Sequence, residues 1–240
     1  MTIRKNNSGF SLVEMAISVI IIGILITGIA TGLDILVASK TTGVIADLQN
    51  YKRAYDEFKL KYNVLPGDMP DAIEILGAAQ QGDGDSQIES GSEENVMAWQ
   101  HLALAGLIDG NYSGNPTIPV EAGVDFPAGP HENTVYDMTY FSIASTIMML
   151  GGHNAIVYAG PNTTDAIPLN RALIPREAYD IDYRIDDGNS INGIIGASGG
   201  ADTDGSKCLD YGGGLNPTGA YKVSQEGTHC IIAYFLERNL

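Results

Sequence analysis

The chain has 240 residues, 44% of them apolar, and a formal net charge of −16. That length and apolar content suffice for one good hydrophobic core with room for a smaller lobe. A body this acidic suits an aqueous space and is a poor match for nucleic acid or for anionic membrane surfaces, so neither is expected as a partner of the folded part.

The N-terminal stretch is the most informative. Arg4 and Lys5 precede Gly9-Phe10-Ser11-Leu12-Val13-Glu14, and the run from Met15 to Leu33 adds 19 uncharged residues before Asp34. At about 1.5 Å per helical residue, such a run spans a hydrocarbon core of roughly 30 Å, and the basic residues favour the cytoplasmic side. Glu14 falls near the start of the span, where an ionised carboxylate is costly and calls for a partner.

A short basic leader, Gly, Phe, and Glu four residues after Phe together resemble the processing signature of type IV pilins and type II secretion pseudopilins. The resemblance implies a precursor that an inner-membrane prepilin peptidase cuts between Gly9 and Phe10 and methylates at the new amino terminus. It also implies that Glu14 pairs with the terminal amine of a neighbouring subunit, which in low dielectric sets register although desolvation offsets part of the gain. The implied partners are other pilin subunits, in a homo- or hetero-polymer, and the pilus or secretion assembly machinery. The membrane holds the precursor, and the periplasm or cell exterior receives the filament. Loss of Arg4 and Lys5 with the leader makes the mature chain still more acidic. A mature chain of this length is long for a major pilin and points towards a specialised or minor subunit.

Two simpler readings stand beside this one. A secretory signal peptide would use Ala30-Thr31-Gly32 as its small-residue site, but the apolar run exceeds an h-region of about 7 to 15 residues and Glu14 interrupts its start. A plain signal anchor explains the span and leaves Gly9, Phe10 and Glu14 as coincidence. The functional counterpart of the anchor is a membrane-anchored surface domain that binds a ligand or calcium and does not polymerise.

Beyond the span, Val44, Leu48, Tyr51, Tyr55, Phe58 and Tyr62 recur at spacings of 4, 3, 4, 3 and 4, and no Pro lies between Thr42 and Tyr62. This predicts a helix with one apolar stripe, with Asp47, Lys52, Arg53, Glu57 and Lys61 on the solvated side. The expected organisation is therefore a leader at 1–9, a transmembrane and assembly half-helix at 10–38, a second half-helix at 39–62 and a head at 63–240. Many pilins carry a Pro some twenty residues into the mature helix. Here no Pro stands near Thr31, and Gly23, Gly28 and Gly32 either weaken the helix or let helices pack closely, with close packing preferred.

Val64-Leu65-Pro66-Gly67-Asp68 ends the long helix. Pro70 opens a short helix to about Gly77 with Ile73 and Leu76 inward, Gln80 to Glu94 reads as an acidic surface loop, and a helix follows from about Glu93 to Asp109. Strands are expected over Val135–Ile143, Asn154–Ala159 and Cys230–Phe235, with a helix over about Pro175–Arg184. Together these give an α+β fold, a long N-terminal helix packed against an antiparallel sheet as in pilins, with strand order open.

Cys208 and Cys230 are the only cysteines. In an exported domain an even count favours a disulfide, the alternative being two buried free thiols; by resemblance it would close the C-terminal disulfide loop of pilins. No cofactor is expected, with calcium as the one candidate. Asp202 and Asp204, in Asp202-Thr203-Asp204-Gly205-Ser206, form the favoured acidic loop because some pseudopilins hold calcium in a C-terminal loop. Asp83 and Asp85, with Glu94 eleven residues after Asp83, match an EF-hand poorly because Ile88 stands where that loop needs Gly. Both loops also read simply as solvated acidic turns. Catalysis is not expected. The four histidines, His101, His131, His153 and His229, are scattered, and Gly212-Gly213-Gly214 lacks the Lys-Ser or Lys-Thr of a phosphate loop and reads as a turn.

Overall fold

The computed structural model describes residues 11–141, 152–162, 164, 167–200, 205–213 and 217–238. The chain divides into two compact units, Met1–Lys40 and Thr41–Leu240. Helix α1, Leu12–Tyr62, contributes to both. It continues through the three glycines without a break in its assignment, as a sequence without Pro allows. Asn63 ends it with φ 58, donating its N–H to the Lys59 carbonyl at 2.9 Å, and Lys59 and Lys61 in the last turn complement the negative end of the helix dipole.

The head is built on the stripe of α1. Val44, Leu48, Tyr55 and Phe58 are buried, and Tyr51 and Tyr62 are half-buried against the same core. Tyr51 meets Trp99 and Tyr136 edge-on, at centroid distances of 4.9 and 5.1 Å.

Helix α2 covers only Ala72–Leu76. It corrects the expected inward set: Ala72 is buried, Leu76 is half-buried, and Ile73 faces solvent. In so short a helix Ala72 suffices to make the contact, and no second turn rotates Ile73 inward. Helix α3, Glu94–Leu104, buries Val96, Trp99 and Leu102 while Leu104 stays exposed. It stops short of the expected Asp109, because Gly106 turns with φ +73 and the Leu107 N–H closes back on the Leu102 carbonyl at 3.0 Å.

Four strands form one antiparallel sheet: β1 Val135–Phe141, β2 His153–Ala159, β3 Ile195–Ser198 and β4 Ile231–Phe235, in the order β1-β2-β4-β3. Helix α4, Pro175–Ile185, lies between β2 and β3 in sequence and has Pro at its start. Strand β4 pairs β2 from Ala155↔Phe235 to Tyr158↔Ile232 and pairs β3 from Ile195↔Tyr234 to Ser198↔Ile231. Tyr136, Met138, Ile156, Tyr158 and Ile232 join the stripe of α1 in the main core. Phe141, Ala155, Val157, Ala159, Ile231, Ala233 and Phe235 form a second buried cluster with Leu169. A sheet buried on both faces explains why β2 and β4 read as continuous apolar runs and not as alternation.

Both sheet edges are occupied. On β1, the Tyr136 N–H donates to the Pro127 carbonyl at 3.0 Å and the Tyr140 N–H to the Ile88 carbonyl at 2.7 Å. On β3, the Ile195 N–H donates to Asp186 Oδ2 at 3.1 Å and the Ala197 N–H to the Ser190 carbonyl at 3.2 Å. The outward-facing N–H groups of these four residues are thereby satisfied within the chain.

Candidate assembly site

The first candidate is the apolar part of α1. Leu12–Ile29 has a mean hydropathy of 2.5 and none of it is buried, so the unit presents a fully exposed apolar helix long enough to cross a membrane. Its few hydroxyls are satisfied within the helix: Ser18 Oγ donates to the Glu14 carbonyl at 2.8 Å and Thr27 Oγ1 to the Gly23 carbonyl at 2.9 Å. Such back-bonding removes the cost of carrying a hydroxyl in an apolar setting.

Glu14 caps the start of this helix. Its Oε2 accepts the Ser11 N–H at 2.8 Å, which occupies one of the donors a helix N-terminus leaves free. The signal was present in Ser11-Leu12-Val13-Glu14, which has the S-x-x-E spacing of a capping box. The spacing of Glu14 from Gly9 and Phe10 and its cost in the membrane pointed to a partner on another subunit and left this local role unseen. Gly9 and Phe10 lie outside the described residues.

Ile20, Gly23, Ile24, Thr27, Gly28, Gly32 and Ile35 line a shallow apolar groove along the helix. A Cβ added at Gly23, Gly28 or Gly32 would meet no atom within 4 Å. The glycines thus leave notches where another helix could approach closely.

The disulfide is present. Cys208 and Cys230 are bonded, with a Cα–Cα distance of 5.2 Å. It fastens the segment after the 3₁₀ turn Gly205–Lys207 to the residue before β4, beside the bridge between Leu173 and Cys230. Asp202 and Asp204 lie outside the described residues. Gly212 and Gly213 both take positive φ, 53 and 81, as the turn reading expects.

Two acidic groups gather elsewhere. Asp68, Asp83 and Asp85 each offer a carboxylate oxygen within 4.8 Å of the others, and so do Asp182, Asp186 and Asp187. In the first, Asp68 is buried, and its carboxylate accepts the N–H groups of Gly84 at 2.6 Å, Asp85 at 3.0 Å and Ser86 at 2.8 Å. Burial pushes its pKa up while these donors pull it down. Glu94 is buried too, so the segment ending there is not wholly a surface loop. It accepts the Asp83 N–H at 3.2 Å and the Glu89 N–H at 3.1 Å, and burial raises its pKa to about 6. Ile88, which breaks the EF-hand pattern, is a fully buried anchor. The loop is thus organised by two carboxylates that cap backbone N–H groups. Asp68 escaped sequence reading because it sits in the turn before the acidic stretch.

Asp47, read from sequence as solvated, instead accepts the Tyr136 hydroxyl at 2.9 Å and is half-buried, its pKa raised by that burial. The histidines stay apart. His131 Nε2 lies 3.3 Å from Glu177 Oε1 and its Nδ1 lies 2.8 Å from the Tyr158 hydroxyl. His101 is buried and accepts the Gly67 N–H on Nδ1 at 2.9 Å, and burial lowers its pKa to about 4, so it is neutral at pH 7.

Comparison with known proteins bears on the N-terminus. Residues 4–30 match the family model described as the prokaryotic N-terminal methylation motif. No curated protein and no solved structure matches the chain. The matched segment contains Gly9, Phe10 and Glu14 and most of the exposed apolar helix. At residues 4–30 the chain therefore carries the prepilin signature of the type IV pilins and pseudopilins, joined to an α+β arrangement consistent with a pilin-like fold.

Proposed function

We propose that this chain is a structural subunit of a type IV pilus or pilus-like filament. It is inserted in the inner membrane through α1, cut between Gly9 and Phe10 by prepilin peptidase, methylated at Phe10, and polymerised through the apolar helix into a periplasmic or extracellular filament. One observation carries the reading: the segment that matches the methylation motif continues into an apolar helix with no side chain of Leu12–Ile29 buried by its own chain. Such a surface is costly in water and needs lipid or other subunits to cover it. Glu14 then exchanges or shares its Ser11 N–H contact with the charged terminal amine of a neighbour, a stronger partner in low dielectric.

Mass spectrometry of the mature protein from its native host tests this. The expected product begins at N-methylated Phe10. A chain that still begins at unmodified Met1 sinks the processing step and, with it, assembly of the family's kind.

A further inference from the structure

Asp137 lies in the middle of β1, fully buried, opposite Val157 of β2. Its Oδ1 accepts Asn95 Nδ2 of α3 at 3.1 Å, the Met138 N–H faces the carboxyl, and Oδ2 has no partner among the described residues. No ion pair between described residues includes it. The titratable groups on the packed elements are turned elsewhere. Glu94 and His101 of α3 serve the N–H groups of Asp83, Glu89 and Gly67. On β2, Tyr158 engages His131 and Thr134, and the His153 ring packs on Phe235. On β1 itself, Tyr136 donates to Asp47, and Tyr140 is half-buried.

An ionised carboxylate held this way has lost its water without gaining a cation, the costly case for a buried charge. A neutral carboxylic acid in the same place accepts a weaker bond from Asn95, which favours the charged form, but avoids the larger cost of a buried charge. We propose that Asp137 is a proton-dependent latch between α3 and the edge strand β1, closed while the carboxyl is protonated and loosened when it ionises.

Burial pushes this carboxyl from 3.8 up to about 7, against the weaker lowering effects of Asn95 and Met138. Because the folded-state value lies above the unfolded one, the stabilisation is complete below pH 3.8 and is lost as pH rises through about 7. The head would thus hold α3 most firmly in acidic surroundings and release it first in alkaline ones.

The test uses the full-length protein in detergent micelles, unfolded by denaturant from pH 4 to 8, beside Asp137→Asn. Each pH unit inside this window should lower the wild-type folding constant up to about tenfold relative to the variant, the slope of one proton. Equal slopes in the two proteins overturn the proposal. If the variant does not fold, carbon-13 carboxyl shifts of the wild type decide: a midpoint near the ordinary 3.8 overturns it and one near 7 supports it. Amide exchange, corrected for its intrinsic pH dependence, should quicken above pH 7 in α3 of the wild type more than in α3 of Asp137→Asn. Uniform quickening across the head overturns the latch as a local device.

Discussion

Tyr55 Oη donates to Glu237 Oε1 at 2.9 Å across 182 positions of sequence, so the second half of α1 is tied to the far end of the chain. The same carboxylate accepts Asn154 Nδ2 at 3.2 Å and the Asn154 N–H at 3.4 Å, while Lys59 Nζ stands at 3.8 Å. One acidic side chain thus joins α1, β2 and the tail after β4. Glu237→Ala should destabilise the head by about 2 kcal/mol, because the Tyr55 hydroxyl and the Asn154 backbone N–H both lose this acceptor, while Asn154 Nδ2 keeps the Ser86 carbonyl at 3.2 Å. Tyr55→Phe, which removes only one donor, should cost about 1 kcal/mol. Denaturant titration of both variants reads the difference, and Glu237→Gln should recover much of the loss.

Glu14→Ala separates the filament subunit from a non-polymerising anchored domain. The variant keeps the apolar span, so insertion and processing should persist, measured by membrane fractionation and by the mass of the mature chain. Incorporation into filaments, counted by microscopy and immunoblotting of sheared material, should fall at least tenfold, since the partner for the incoming amine is gone. Wild-type incorporation would count against the pairing role and for the anchored reading.

The bond between Cys208 and Cys230 joins residues 22 positions apart in sequence. In the chain-entropy account a loop of that size contributes about 3 kcal/mol. Cys208→Ser with Cys230→Ser should lower stability by that order, and reductant should do the same to the wild type. Both sulfurs are buried, so reduction should be slow in the folded head and fast once it is unfolded.

Gly67→Ala meets two obstacles. Gly67 holds φ +88, and an added Cβ would lie 2.4 Å from the Glu94 carbonyl oxygen. Neither the backbone angle nor the neighbouring helix can yield cheaply, so the loss should exceed about 2 kcal/mol. Circular dichroism melts against Gly77→Ala isolate the contact, because Gly77 also has positive φ, 71, but meets nothing within 4 Å.

Asp182 accepts the Tyr221 hydroxyl at 2.6 Å and the Gly188 N–H at 3.0 Å, yet burial still raises its pKa to about 6. Its contribution to stability is therefore complete below 3.8 and lost as pH rises through about 6. Tyr221 is the chief group pulling the value down, so Tyr221→Phe should raise it further and extend the loss to higher pH. At pH 8 the variant should be weaker than wild type by about 1.5–3 kcal/mol, the worth of a hydrogen bond to a charged group, and by less at pH 4. Carboxyl titration by NMR with denaturation at the two pH values checks both parts.

The helices and most strands were legible because each carried its own local signal. The stripe from Val44 to Tyr62 gave the second half of α1, Pro175 marked the start of α4, partial alternation with Tyr136, Tyr140 and Phe141 gave β1, and apolar runs gave β2 and β4. Strand β3 was not legible: Ile195-Gly196-Ala197-Ser198 has little β-forming character and is a strand because β4 supplies its partner. Strand order depends on the same non-local pairing. At the site, Glu14 was legible from its spacing to Gly9 and Phe10. Asp68 and Asp137 were not, because burial of a carboxylate is decided by what folds over it and leaves no mark on its neighbours in sequence.

The occupied edges of the sheet matter for crowding. A filament would hold many copies of this head side by side, the condition under which bare strands recruit one another and ordered packing turns into aggregation. With Pro127 and Ile88 engaging N–H donors of one edge and Asp186 and Ser190 those of the other, each head offers fewer free donors to the sheet of a neighbour. In the proposed filament, contact between subunits would then fall chiefly to the helix.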